Sequence, residues 1–263
     1  SDELLISKEK VELSASICKV DLLSELVGEF PELQGAMGGY FANAQGFDKD
    51  LVLAISEQYL PTGFGSRVPK KPFSIALSLA DKIDTLVGFF GLNQKPTSSK
   101  DPYALRRLAL GVIRIIIENK KDFKIKDLIN YSSSLYLDQG FKFENKFLHK
   151  ELSDFLMERL KHYMKEENIR SDIIQASTSS LNLDQSVIIF NKAKYLNKII
   201  TKPDGLDIIE SYKRASNILE SELKKGKIEL SNTTDPGIFK TDLEKKLFKK
   251  ISELRKYFLS INK

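Results

Sequence analysis

The sequence is poor in the residues that cross-link secreted proteins or carry out hydrolytic chemistry. Its 263 residues include one cysteine, Cys18, two histidines, His149 and His162, and no tryptophan. A single cysteine excludes an internal disulfide and is typical of a reducing compartment, and its apolar neighbours predict a buried structural thiol. No Ser-His-Asp arrangement can be proposed from two histidines that share one predicted helical region.

Long apolar runs are absent as well. No stretch of the chain is apolar for long enough to cross a bilayer, and no basic segment followed by an apolar core opens the sequence. We therefore expect a cytoplasmic protein with no membrane partner. Because the chain begins with Ser1 rather than methionine, we also expect it to be part of something longer.

Charge is unevenly distributed along the chain. The total is +5, but residues 1–140 carry 17 Lys and Arg against 18 Asp and Glu, whereas residues 141–263 carry 24 against 18. A basic second half indicates contact with a polyanion. The alternative is a set of lysine-rich, solvated helix faces with no partner.

Apolar residues recur almost everywhere at steps of three and four, which predicts an all-α fold. We expect an apolar stripe to end at Gly28, Asp48 to cap a helix, and helices to lie at 73–90 and 147–165. Further helices are predicted near 127–135, 184–200, 204–225 and 241–260. A polar segment near residue 140 predicts two domains, 1–140 and 141–263.

One stretch, residues 95–118, changes abruptly from a polar loop to an apolar helix. Asp101 is a suitable N-cap and Pro102 suits the first helical position. Arg107 and Arg114 are seven residues apart and should share one side of that helix. A positive helix start next to a lysine-rich loop predicts an anion site, and phosphate is the obvious candidate.

Several blocks of the first half resemble one family, the β subunit of bacterial heterotetrameric glycyl-tRNA synthetases. The blocks occur in the family's order and spacing at 19–23, 27–35 with Met37 and Gly38, 57–61, 80–88 and 100–107 with 110–112 and Arg114. In the second half, residues 210–219 resemble the helix of anticodon-binding domains, and Asp235-Pro236 with Phe239, Glu244 and Leu247 resembles the family's closing helices.

The resemblance implies a division of labour between subunits. The α subunit would activate and transfer glycine with ATP and Mg²⁺, while the β subunit would hold tRNA(Gly) within an α2β2 tetramer, so no cofactor is expected in this chain. Residues 1–140 would be a degenerate HD-like helical domain, incomplete at its N-terminus, and residues 141–263 an anticodon-binding helical bundle. The chain would be a C-terminal fragment of such a subunit.

The HD type of phosphohydrolase is named after a His-Asp pair that binds metal, and that pair is broken here. Val20 stands where the histidine before Asp21 would be, so we expect no metal ligand and no catalytic residue. Asp21, Asp81 and Asp84 are then more readily explained as ion-pairing or capping groups. The glycines at 35, 38 and 39 lack the Lys-Ser/Thr of a phosphate loop and predict close helix packing. A metal-dependent phosphohydrolase remains the enzymatic alternative.

Basic side chains are the candidate RNA contacts, because RNA duplexes are bound through phosphates and 2′-hydroxyls and unpaired bases by stacking. The predicted RNA-binding residues are Lys70, Lys71, Lys95, Lys100, Arg106, Arg107, Lys194, Tyr195, Lys198, Lys213, Arg214 and Asn217. The alternative for Arg106 and Arg107 is that they pair with Asp81 or Asp84. A third possibility for the chain is a structural module that docks the α subunit.

Overall fold

The structure, a computed structural model, describes residues 4, 6–121, 123–226 and 234–261, and the side chains of residue 204 and of 257–261 are not described. Throughout these residues the regular structure is helical and no strand is present, which confirms the all-α prediction. The α-helices of the described residues are α1 (Lys8–Ile17), α2 (Glu25–Glu29), α3 (Ala36–Ala44), α4 (Lys49–Glu57), α5 (Pro72–Gly91), α6 (Leu105–Glu118), α7 (Ile125–Asp138), α8 (Leu148–Glu166), α9 (Ser171–Thr178), α10 (Ser186–Ile200), α11 (Pro203–Lys224) and α12 (Asp242–Ile261).

The chain divides into two compact units, residues 1–202 and residues 203–263. The boundary predicted after residue 140 lies inside the first unit. The reason is that α8, which follows that position, packs against α5 and α6 from the first half of the chain. Its apolar positions therefore complete a core that begins well before residue 140.

The core of the first unit is built around α5 and α6. Their apolar faces meet, as the three- and four-residue spacing predicts, and α4, α7, α8 and α10 cover the remaining sides. Leu86 and Val112 are fully buried at this contact, and so are Leu152 and Leu156 of α8. Burying side chains of this kind stabilises the fold by about 1.5–3 kcal/mol each, before the entropic cost of ordering them.

The glycine-rich segment before Tyr40 forms a close contact between α3 and α4. A Cβ atom on Gly39 would lie 1.8 Å from Ser56 Oγ, and one on Gly38 would lie 2.9 Å from Ile55. Gly35 precedes α3 with a φ of 82°, a conformation that residues with a side chain rarely adopt. These contacts confirm that the glycines serve helix packing.

The apolar stripe predicted before Gly28 is only partly correct. Val27 is buried, but Val20, Leu23 and Leu26 are exposed, with Leu23 at 86%. The segment forms a 3-10 turn at Val20–Leu23 followed by the five-residue α2, rather than one continuous helix. Elements this short do not keep a constant face toward the core, so the spacing overestimates burial.

The second unit contains α11 and α12, with a 3-10 turn at Pro236–Ile238 before α12. The rings of Phe239 and Phe248 pack against each other with centroids 5.3 Å apart. Among the helices that the structure describes, in either unit, none combines the length and apolar character needed to cross a membrane.

Candidate nucleic-acid interface

The start of α6 differs from its prediction in a way that matters for anion binding. The helix begins at Leu105, three residues after Pro102, because Ala104 adopts a left-handed conformation with a φ of 53°. Asp101 nevertheless caps it, since its carboxylate accepts hydrogen bonds from the backbone N–H groups of Leu105 (2.8 Å) and Arg106 (3.0 Å). The anion at this helix start is thus supplied by the chain itself.

Arg106 and Arg107 differ in their surroundings. Arg106 donates to the backbone carbonyl of Thr97, and its guanidinium lies 4.0 Å from the Asp101 carboxylate. Arg107 is exposed on the surface of α6. Among the described residues neither arginine forms an ion pair with Asp81 or Asp84, and Asp81 is paired with Lys19 instead.

Arg114, which shares the helix with Arg107, is buried. Its guanidinium bonds the Glu118 carboxylate through Nε (2.7 Å) and the carbonyl of Ser66 through Nη2 (2.7 Å), and Nη1 donates to the carbonyl of Gly63. The loop at 63–66 therefore covers the side of α6 that carries Arg114. This arginine anchors the loop and is not available to a partner.

The predicted lysines of the first half lie at opposite ends of α6. Lys70 donates to the carbonyl of Glu118 at the C-terminal end (3.2 Å), and exposed Lys71 follows it in sequence. Lys95 and Lys100 belong to the loop that precedes the N-terminal end, and Lys95 is paired with Glu151 of α8 at 2.8 Å. Because 14 helical residues span about 20 Å, these lysines form two separate clusters.

Asp21 and Asp81, two acidic residues of the first half, are engaged in structural contacts. Asp21 is fully buried and accepts from the Gly35 N–H at 2.6 Å, and Asp81 is paired with Lys19 at 2.7 Å. Burial alone would lower the pKa of Lys19, but the bond to Asp81 and its charge raise that pKa overall. Within the described ranges, no group of three or more His, Cys, Asp or Glu side chains could hold a metal ion.

Asp84 lies in the same region, on α5. The hydroxyl of Tyr136 donates to its backbone carbonyl at 3.2 Å. Burial raises the pKa of the Asp84 carboxyl, and burial together with the Asp84 charge raises the pKa of Tyr136 to about 12. Near neutral pH Tyr136 therefore keeps its proton and remains a hydrogen-bond donor.

The candidate residues of α10 belong to the first unit. Tyr195 is 67% exposed, and Lys198 is also exposed. Lys194 lies over the ring of Phe190, 5.8 Å from its centroid, which leaves the ammonium group at the surface. A free aromatic face between two lysines suits an unpaired base next to its phosphates.

The candidates on α11 belong to the second unit. Tyr212, Lys213, Arg214 and Asn217 are all exposed there, and Tyr212 reaches 72%. An exposed tyrosine, two cations and an amide on consecutive turns provide both stacking and hydrogen-bonding groups. The structure thus leaves each of these side chains accessible, as an RNA contact requires.

Four residues that the sequence reasoning passed over form a further basic surface on α8, namely Arg159, Lys161, His162 and Lys165. From Arg159 to Lys165 the sequence holds three cations and one histidine with no acidic residue between them, which is a short basic run. The signal that could have found them is this density of basic residues within seven positions, together with the i, i+4 spacing that places Lys161 and Lys165 on one helix side.

Fold and surface together define an all-α protein that presents several separate groups of exposed cations. A sequence profile of the family described as the glycyl-tRNA synthetase beta subunit matches residues 2–179, which is more than half of the chain. The chain belongs to this family, as the resemblance indicated.

Individual relatives agree with that assignment. The glycine–tRNA ligase beta subunit of Rickettsia canadensis is 43% identical over 236 residues, which cover 90% of this chain and 33% of that protein. The beta subunit of a Cereibacter sphaeroides strain is 39% identical over 235 residues, covering 89% and 34% respectively. That of a Ruegeria species is 37% identical over 241 residues, covering 92% and 34%. The chain therefore spans about a third of the length of these relatives.

Proposed function

We propose that this chain is the tRNA-binding part of a glycyl-tRNA synthetase β subunit. It would support the ATP-dependent attachment of glycine to tRNA(Gly), with the chemistry in the α subunit of an α2β2 assembly in the cytoplasm. The observation that carries the proposal is membership of the beta-subunit family over residues 2–179. ATP and Mg²⁺ would be used by the α subunit, and this chain would need no cofactor.

The proposal assigns different parts of the tRNA to different surfaces. The exposed cations near α6, including Arg107 and Lys100, suit the phosphate backbone of a duplex such as the acceptor stem. Tyr212, Arg214 and Asn217 of α11 suit the unpaired bases of an anticodon loop, because they offer stacking and hydrogen-bonding groups. The first half of the chain would be a degenerate HD-like domain whose task is binding rather than hydrolysis.

A gel-shift titration of the chain with tRNA(Gly) at several salt concentrations tests the proposal. We expect binding whose affinity falls at least about tenfold between 50 and 200 mM salt, because neutralising phosphates releases counterions. The same titration with a tRNA of another specificity separates general tRNA binding from recognition of tRNA(Gly). Absence of any salt-sensitive binding to tRNA(Gly) would rule the proposal out.

A further inference from the structure

An open groove of about 410 Å³ runs between α8 and α9, and none of the RNA-binding residues predicted from the sequence lines it. One wall is charged and comes from α8, and the other is largely neutral and comes from α9. The groove is lined by Glu158, Arg159, Lys161, His162, Lys165, Ser171, Ile174, Gln175 and Thr178. The lining contains no Phe, Tyr or Trp ring on which a base could stack. The groove therefore suits a sugar-phosphate backbone better than a base.

The charged wall carries more positive than negative charge. It provides Arg159, Lys161 and Lys165 against one carboxylate, that of Glu158, which is paired with Lys161 at 2.7 Å. Among the described residues, no carboxylate lies within ion-pair distance of Arg159 or Lys165. The groove therefore has a net charge of about +2 with His162 neutral, which favours an anion.

Arg159 has a hydrogen-bonding group that no described residue satisfies. Its Nε is buried and has no hydrogen-bond partner among those residues, and its guanidinium lies 5.7 Å from the centroid of the Phe155 ring. Burial, and then the nearby charge of Arg106, lower its pKa. Two neighbouring arginines share the charge of Asp101, so a further negative group would relieve both their repulsion and their lost hydration.

The neutral wall supplies polar side chains that can donate hydrogen bonds to phosphate oxygens. Ser171 and Gln175 lie one helical turn apart on α9 and face the groove together, while the hydroxyl of Thr178 donates to the Ile174 carbonyl at 2.9 Å. Hydroxyl and amide groups opposite guanidinium and ammonium groups are a common way to hold a sugar-phosphate backbone. This pairing favours a phosphodiester over a lone carboxylate.

We propose that the α8–α9 groove binds the phosphate backbone of RNA. The proposal rests on the proposed function, because it names a further contact surface for the same tRNA. It adds Arg159, Lys161 and Lys165 to the RNA-binding residues. The contact is independent of base sequence and positions the tRNA on the first unit.

The test compares charge-matched double variants of the full chain in tRNA(Gly) binding. Arg159→Gln/Lys165→Gln removes two charges from the groove. Lys8→Gln/Lys49→Gln removes two from α1 and α4, which pack against α5 and do not line the groove. We expect the groove variant to bind about tenfold more weakly than the control variant. The slope of log affinity against log salt should fall by about 1.5–2, as expected for two lost phosphate contacts.

Melting temperatures of both variants show whether the fold is retained. If the loss of partly buried Arg159 unfolds the chain, Lys165→Glu is compared with Lys49→Glu, since both lysines are exposed. Equal affinities of the groove and control variants, with the wild type binding tRNA, would overturn the groove and leave the proposed function standing. If the wild type itself does not bind tRNA, both proposals fail.

Discussion

Replacing Arg114 by alanine is expected to lower the free energy of unfolding by about 3 kcal/mol. The side chain is 7% exposed and holds a carboxylate and two backbone carbonyls at once, those of Glu118, Gly63 and Ser66. Its removal leaves Glu118 without its cation and the loop carbonyls without a donor, and unsatisfied buried groups cost about 1–3 kcal/mol each. Urea or thermal unfolding of the purified chain measures the effect.

Arg107→Ala is the matched control, because it removes an exposed arginine from the same helix. We expect it to change stability by less than about 0.5 kcal/mol. Arg114→Lys should lower the free energy of unfolding nearly as much as Arg114→Ala, since an ammonium group cannot reproduce the planar fork of hydrogen bonds. Equal stabilities of Arg107→Ala and Arg114→Ala would show that Arg114 does not anchor the loop.

The second large effect concerns Lys82, which is 1% exposed inside the core between α5 and α6. Its Nζ donates to the Gln58 carbonyl (3.1 Å) and to Ser78 Oγ (2.8 Å), and the absence of a side chain at Gly111 leaves room for it. Burial lowers the pKa of Lys82 from its ordinary value of 10.5 to about 8, and the charge of Asp81 offsets only part of this.

Stability should therefore rise with pH through the window between these two values. Below pH 8 the folded chain must keep a buried charge, whereas between pH 8 and 10.5 only the unfolded chain still binds the proton. Relative to Lys82→Met, the wild type should gain about 2–3 kcal/mol of stability between pH 7 and pH 10. Urea unfolding of both proteins at the two pH values measures this difference.

Lys49→Met is the control for Lys82→Met, since it removes an exposed lysine of α4. Its stability relative to the wild type should be nearly independent of pH over the same range. If the difference between wild type and Lys82→Met were also independent of pH, Lys82 would not be a desolvated cation in the folded chain. If the wild type instead gained stability over Lys82→Met as the pH fell, the charged form of Lys82 would be stabilised in the folded chain by an anionic partner.

The long helices could be predicted from the sequence because one physical signal dominates there. In α5 and α8 the apolar period of 3.6 extends over 20 and 19 residues, so core packing and local propensity agree. The Asp48 cap of α4 was predictable for a similar reason, since its carboxylate accepts from the N–H of Asp50 within the same turn. Each of these features depends on neighbours in sequence.

Features that depend on distant contacts could not be predicted. The seven-residue spacing of Arg107 and Arg114 places both on one side of α6 but does not show which of them is buried. Arg114 is buried because the loop at 63–66 covers it, and that contact is not visible in the local sequence. The start of α6 follows from the left-handed Ala104, which competes with the favourable position of Pro102. The separation of Lys70 from Lys100 follows from the length of α6, although the two lie in neighbouring loops of the sequence.

The α8–α9 groove illustrates the same limit for function. Its cations on α8 are interrupted by Leu160, Tyr163 and Met164, and its other wall comes from a helix, α9, that the spacing did not reveal. Only packing places Arg106 near Arg159, because the two arginines are 53 residues apart in sequence. A surface built in this way is visible in the fold and not in the composition.

Hydroxyl-radical footprinting of tRNA(Gly) with the full chain tests most directly whether this protein holds tRNA. Bound protein shields riboses from cleavage, so the pattern locates the contacts along the RNA. We predict two protected regions, one in the acceptor arm and one in the anticodon arm, which both weaken as salt is raised. A cleavage pattern that stays unchanged at every protein concentration would contradict the proposed tRNA-binding role.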